Sequence, residues 1–308
     1  MISSIRPGID PMAGPGNRTV VTLREGIYFG EGPRWHDGRL WLSDFYQHKV
    51  LSLGLDGELE TELEFDDQPS GLGWMPDGSL LVVSMKRRQV WRKWPDGRLA
   101  MHADLSDVSK HLCNDMVVDG EGRAYVGNFG FDLDAEIAAR GAESVIADHP
   151  TATLVRVDPD GSVSVAADGL GFPNGTVITP DGKTLIVGES LGGRLTAFDI
   201  GAGGALSNRR VWAETWPRMP DGICLDEGGA VWIANPIAPE CALIAQGGEV
   251  LEVVETGDLP CFACMLGGPE GKHLFMLVAP SSDHAKAAEA PLGKVLVCEV
   301  DDARAGWP

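Results

Sequence analysis

One pattern recurs six times along the 308-residue chain and limits its fold more than any other feature: an apolar stretch, a glycine-containing turn, then a second strand-like run. The copies are GPRWHDGRLWLSDF (32–45), GLGWMPDGSLLVVSM (71–85), NDMVVDGEGRAYVGNF (114–129), NGTVITPDGKTLIVGES (174–190), DGICLDEGGAVWIANP (221–236) and ACMLGGPEGKHLFMLVAP (263–280). Each predicts a β-hairpin, because Asp-Gly, Glu-Gly or Gly-Gly supplies the positive φ of a tight turn and the flanks are rich in β-branched and aromatic residues. The turn glycines are Gly38, Gly78, Gly122, Gly182, Gly229 and Gly271. A second hairpin-like segment follows each copy, as in KVLSLGLDGEL and QVWRKWPDGRL, so each unit supplies four strands, the content of a propeller blade. A β-sandwich would need no sixfold register.

The expectation is therefore an all-β, six-bladed β-propeller with four antiparallel strands per blade, formed as one domain by residues 18–308 after a loose tail over 1–17. The sixth unit runs out after KVLVCEV, whereas RTVVTLREG (18–26) precedes the first. That N-terminal strand is predicted to close the ring as the outer strand of the sixth blade, which removes a sheet edge. The step from Gly122 to Gly182 is longer than the others, and its excess, NFGFDLDAEIAARGAESVIADHP (128–150), reads as a short helix or a lid. Phe129 and Phe131 within it, and Asp44 and Asn128 at the ends of second strands, are further pocket candidates.

Composition narrows the partners. A formal charge of −20 repels phosphate backbones and anionic lipid surfaces, so neither nucleic acid nor membrane is an expected partner. The first residues lack a basic region followed by an apolar run, which points to the cytoplasm. Six scattered cysteines fit reduced thiols, and the lone CxxC at Cys261 and Cys264 is weak evidence for zinc or redox chemistry. A monomer or small homo-oligomer is expected.

The innermost strand of each propeller blade starts near one mouth of the central channel, so the residues opening the six copies can be compared. They are Glu31, Ser70, Asn114, Asn174, Asp221 and Phe262; four of them carry a carboxylate or carboxamide. Each of the middle four stands eight residues before its turn glycine, and Glu31 stands seven before its own. Two carboxylates converging in a confined space repel unless a cation lies between them. An all-oxygen set of Glu31, Asn114, Asn174 and Asp221 suits a hard divalent cation, with Ca²⁺ first and Mg²⁺, Mn²⁺, Fe²⁺ or Zn²⁺ as alternatives. The competing reading is that Asn-Gly and Asp-Gly merely stabilise turns.

The segments GEGPRW, CNDMVVDGEGRAYVGNFG, FPNGTVITPDGKTL and MPDGICLDEGGAVWIA, in this order and spacing, resemble the SMP-30/gluconolactonase/LRE family. The resemblance implies a six-bladed propeller that binds one divalent cation and opens sugar lactones. It makes Glu31, Asn174 and Asp221 direct ligands and Asn114 a ligand, directly or through water, that also touches substrate; Asp221 doubles as general base. Asp115 follows Asn114 as in the family and is a candidate for orienting substrate. Sugar-lactonase members place an arginine two residues before this asparagine, where the chain has Leu112. That replacement weakens polyol recognition and brings a more apolar lactone or ester into consideration, with His111 a candidate substrate contact.

These readings converge on a gluconolactonase-type carboxylic ester hydrolase acting on a small lactone or ester by metal-activated water. The alternatives are a calcium-dependent phosphotriesterase of the diisopropylfluorophosphatase type and a non-catalytic scaffold. The string GESLG (188–192) fits GxSxG, but it ends a predicted hairpin strand and no helical pattern follows it, so it is not a nucleophile elbow and a serine nucleophile is not expected.

Overall fold

A computed structural model describes residues 18–308 and the backbone of residues 12–13; the expected loose tail over 1–17 otherwise lies outside the described residues. Six antiparallel sheets follow one another around an axis, five of them four-stranded and the sixth with four strands plus a two-residue edge strand, Met12–Ala13, paired with Val20 and Thr19. The first five have their innermost strands at Gly30–His36, Pro69–Trp74, Cys113–Val118, Pro173–Ile178 and Ile223–Leu225. In the sixth, Cys261–Gly267, His273–Val278 and Gly293–Glu299 run outward, and Thr19–Ile27 pairs antiparallel with the last of these, with Val21 opposite Val297 and Ile27 opposite Gly293. The ring is thus closed by the N-terminal strand, as the sequence led us to expect. All six turn glycines hold positive φ, between 69° and 84°. Apolar clusters fill the space between neighbouring sheets, the largest joining the fifth, sixth and first blades around Trp232 and Phe275.

At the axis the inner strands approach one another more closely than side chains allow. A Cβ on Gly71 would lie 2.5 Å from Met116 N; on Gly175, 2.5 Å from Asp221 O; on Gly222, 2.7 Å from Ala263 Cα. Each of these glycines touches the backbone of the next blade. The backbone N–H of Gly175 donates to Asp221 O and that of Gly222 to Phe262 O, so the ring is also stitched by interblade hydrogen bonds.

A second regularity is local. The pairing of the inner strand slips between Glu31 and Arg34, Pro69 and Leu72, Cys113 and Met116, Pro173 and Thr176, and Cys261 and Ala263. Five blades therefore carry a bulge at one level, and a bulge re-aims the side chains beside it. Those side chains include Glu31, Ser70, Asn114 and Asn174.

The long step forms two helices, α1 (Leu133–Arg140) and α2 (Ala142–Ala147). Asp132 caps α1 by accepting from Ala135 N, Asp134 and Glu136 suit the positive end of its dipole, and Gly141 ends it at φ 82°. A one-turn helix, α3 (His284–Ala287), lies in the corresponding connection of the sixth blade.

Gly71→Ala should lower stability by about 1–3 kcal/mol or more, because the new methyl must push the third blade's inner strand aside. Urea denaturation measures this, and an unchanged midpoint would show that the blades part freely at the axis.

Candidate active site

The openings of the inner strands meet at the floor of a cavity of about 480 Å³. Glu31, Asn114, Asp115, Asn174 and Asp221 all line it, together with Leu112, Phe129 and the α1–α2 segment. The side chains of the predicted quartet are almost fully buried, each 5–8% exposed. A second cavity of about 250 Å³, lined by Thr179, Trp212 and Gly229 among others, contains none of them.

What separates Glu31 and Asp221 from the protein's other buried carboxylates is the lack of donors. Asp44 accepts backbone N–H bonds from Tyr28, Phe29, Tyr46 and Gln47. Glu189 accepts from Gly171 N and from the Arg194 guanidinium, and Asp67 from Ser84 Oγ and Arg87 N. Among the described residues Glu31 accepts only from the neighbouring Gly32 N at 3.3 Å, and Asp221 only from Asn174 Nδ2 at 2.5 Å. Burial pushes both carboxyls well above the usual range; Glu31 is raised further by the charges of Asp221 and Asp115, and Asp221 by that of Asp115.

The carboxamides complete this picture. Asn174 Nδ2 is shared between Asp221 Oδ1 and Ser190 Oγ, which is itself fixed by donating to Pro220 O at 2.7 Å. Asn114 Nδ2 donates to Pro173 O at 3.1 Å, and its Oδ1 is buried with no hydrogen-bond partner among the described residues. A Cβ on Gly127 would lie 2.5 Å from that oxygen, so a glycine on the adjacent strand is what leaves it room. An orphaned carbonyl oxygen beside two donor-poor carboxylates fits a hard divalent cation. Among the described residues no three His, Cys, Asp or Glu side chains cluster as a metal site, so this set depends on its two asparagines.

Asp115 is placed differently. Its Oδ1 accepts from Arg34 Nη2 at 2.6 Å and from Met116 N at 2.8 Å. Arg34, only 3% exposed, also donates to Leu72 O, Pro33 O and Met116 O, tying the first three blades together beneath the floor. The sequence reading missed Arg34; an arginine in an inner strand, three residues after Glu31, was the available signal. His111 does not line the cavity: its Nε2 lies 3.8 Å from Asp132 Oδ2 at the start of α1. Of the other pocket candidates, Phe129 lines the wall. Phe131 packs beside Val145, Leu191 and Met219, Asp44 organises its loop, and Asn128 donates to Thr153 O.

A six-bladed propeller with an oxygen-rich floor at its axial mouth defines the class. The chain belongs to the SMP-30/gluconolactonase/LRE-like family, whose model matches residues 29–280. It is 27% identical over 280 residues to a pentonolactonase, XacC, of Haloferax volcanii, with 84% of each chain covered. A gluconolactonase from Xanthomonas campestris superposes with a TM-score of 0.71 at 23% identity, covering 95% of each chain. Regucalcin from Agrobacterium tumefaciens, described as a calcium-binding protein, superposes with a TM-score of 0.72 at 20% identity, covering 93% of this chain and 95% of its own.

Raised carboxyl pKa values have a sign for stability. The contribution of Glu31 and Asp221 is complete below their ordinary values of 4.5 and 3.8 and is lost as pH rises through the raised folded values. In protein stripped of divalent cations, Glu31→Gln should therefore raise the Tm at pH 7 by a few degrees and leave it nearly unchanged near pH 4. Thermal melts at the two pH values check this, and equal shifts would show that charge repulsion is not the cause.

Proposed function

We propose that the protein hydrolyses lactones at this floor, with one divalent cation, Ca²⁺ first, held by Glu31, Asn174 and Asp221 and by Asn114. The observation that carries the reading is the pair of buried, donor-poor carboxylates beside the unpartnered Asn114 Oδ1, at the bottom of a cavity large enough for a small molecule. Family membership and similarity to a pentonolactonase support the reaction class.

When bound, such a cation supplies an electrophile for the ester carbonyl and acidifies water. The chain's own residues supply the rest. Asn174, anchored on Ser190, holds Asp221 Oδ1 and so orients the carboxylate, whose other oxygen takes a proton from the attacking water. Asn114, fixed through Nδ2, presents Oδ1. Asp115 stays paired with Arg34 and positions the strand that carries Asn114. The product is a carboxylate, and a protein of charge −20 repels it.

The six cysteines are free and buried, which supports action in a reducing compartment such as the cytoplasm. Among the described residues no helix is long and apolar enough to cross a membrane.

Chelator-stripped protein should be inactive on lactones and regain turnover with added divalent cation. Asp221→Asn should lower kcat by about 10²–10⁴-fold while the thermal transition is retained. Near wild-type turnover in that variant would remove Asp221 from the reaction, and turnover of a phosphotriester without any lactone would replace the reaction class. Calorimetry should show Ca²⁺ binding weakened at least tenfold by Glu31→Gln.

A further inference from the structure

The walls of the cavity contrast with its floor. Five phenylalanines line it. Phe29 packs between Phe45 and Phe262, with ring centroids 5.3 and 4.8 Å away, and this wall rests on Ala287 of α3. Phe129 and Phe172 meet edge-on at 4.4 Å in a second wall. From the insertion, α1 contributes Leu133 and Ile137 and α2 contributes Ile146. Ile137 and Ile237 line the cavity while remaining 39% and 58% exposed, so the apolar lining continues out to the rim.

One wall residue carries backbone strain. Phe172 holds φ 62°, the left-handed region that a bulky side chain rarely adopts. Such strain persists where the surroundings enforce it, and it concentrates at functional sites. Here the strained residue immediately precedes the strand that delivers Asn174, and its ring stands against Phe129 in the cavity wall.

Outside the floor, the polar lining consists of Tyr46, Gln68, Lys86, Asp134, Ser282 and His284. Ser190, nearer the floor, already donates to Pro220 O and accepts from Asn174. A polyhydroxylated lactone would set several hydroxyls against phenyl and alkyl groups, and each hydroxyl that loses water without finding a partner weakens binding. An alkyl or aryl substituent meets no such penalty and gains from each methylene it buries.

We infer that the substrates are lactones bearing a hydrophobic alkyl or aryl substituent, seated between the Phe29–Phe262 and Phe129–Phe172 walls and beneath α1. This rests on the hydrolase reading above for the reaction, but the recognition of the substituent comes from walls that take no part in the chemistry.

The test is a series of γ-lactones whose side chain lengthens from none to hexyl, with a phenyl member and glucono-δ-lactone, assayed on the cation-loaded full chain. In parallel, calorimetry measures binding of cyclopentanones carrying the same side chains, which have no ester to cleave. kcat/KM should rise about threefold per added methylene until the chain leaves the cavity, and glucono-δ-lactone should be the poorest member. Phe172→Asn, in which asparagine tolerates the left-handed backbone, should lower the hexyl-to-unsubstituted kcat/KM ratio about tenfold; Ile137→Ser, on α1 at the rim of the cavity, should lower it by a smaller factor. Thermal melts confirm that both variants fold.

A flat series, or one that favours glucono-δ-lactone, overturns the assignment and leaves the hydrolase reading intact. Absence of turnover throughout, with ketone affinity rising along the side-chain series, overturns the hydrolase reading and the lactone substrates with it, and leaves only the recognition of the side chain by the walls. Absence of both turnover and ketone binding overturns both.

Discussion

Backbone contact at the propeller axis is the constraint on which the rest of the structure depends. Gly71, Gly175 and Gly222 bring the inner strands of the second, fourth and fifth blades against the next blade at distances where no side chain fits. That approach leaves the residue immediately before each glycine at the mouth of the channel. The bulges in five of the six inner strands lie at the same level. Ring geometry and side-chain presentation are therefore one feature: Glu31, Asn174 and Asp221 converge because Gly32, Gly175 and Gly222 follow them.

That explains what could be read from the sequence. The sixfold hairpin period follows from local turn chemistry, which is written in adjacent residues. The convergence of Glu31, Asn114, Asn174 and Asp221 on one cavity could be inferred because repeats place equivalent positions at equivalent heights. The Asn-Gly and Asp-Gly pairs at 174–175 and 221–222 proved to open inner strands, where the glycine serves interblade contact. The one-residue offset at Glu31 belongs to a blade whose inner strand is bulged between Glu31 and Arg34.

Other features depend on contacts between residues far apart in the chain, which no local pattern encodes. Arg34 reaches Asp115 across two blade boundaries, and from the sequence Asp115 looked like a neighbour of the substrate rather than half of a buried ion pair. His111, close to Asn114 in sequence, lies off the cavity because the chain enters the inner strand only at Cys113. The insertion was recognisable as helical or lid-like from its length and composition, but its apolar contribution to the cavity required knowing which helix faces turn inward. The site also shows a tension between stability and function: Glu31 and Asp221 are buried without the donors that satisfy Asp44, Asp67 and Glu189. Two such carboxylates cost stability wherever no counter-charge balances them.

The pairing of Thr19–Ile27 with Gly293–Glu299 has a consequence for biogenesis. The strand that completes the sixth blade is synthesised before all six inner strands, and its partner emerges only after five blades have been made. Until then the edge of Thr19–Ile27 that faces Gly293–Glu299 has no partner, and the circle of interblade contacts stays open at the seam between the sixth and first blades. The last joint of the ring is thus a contact between early and late chain, so the growing polypeptide is an arc until the sixth blade has been made and becomes a circle only then.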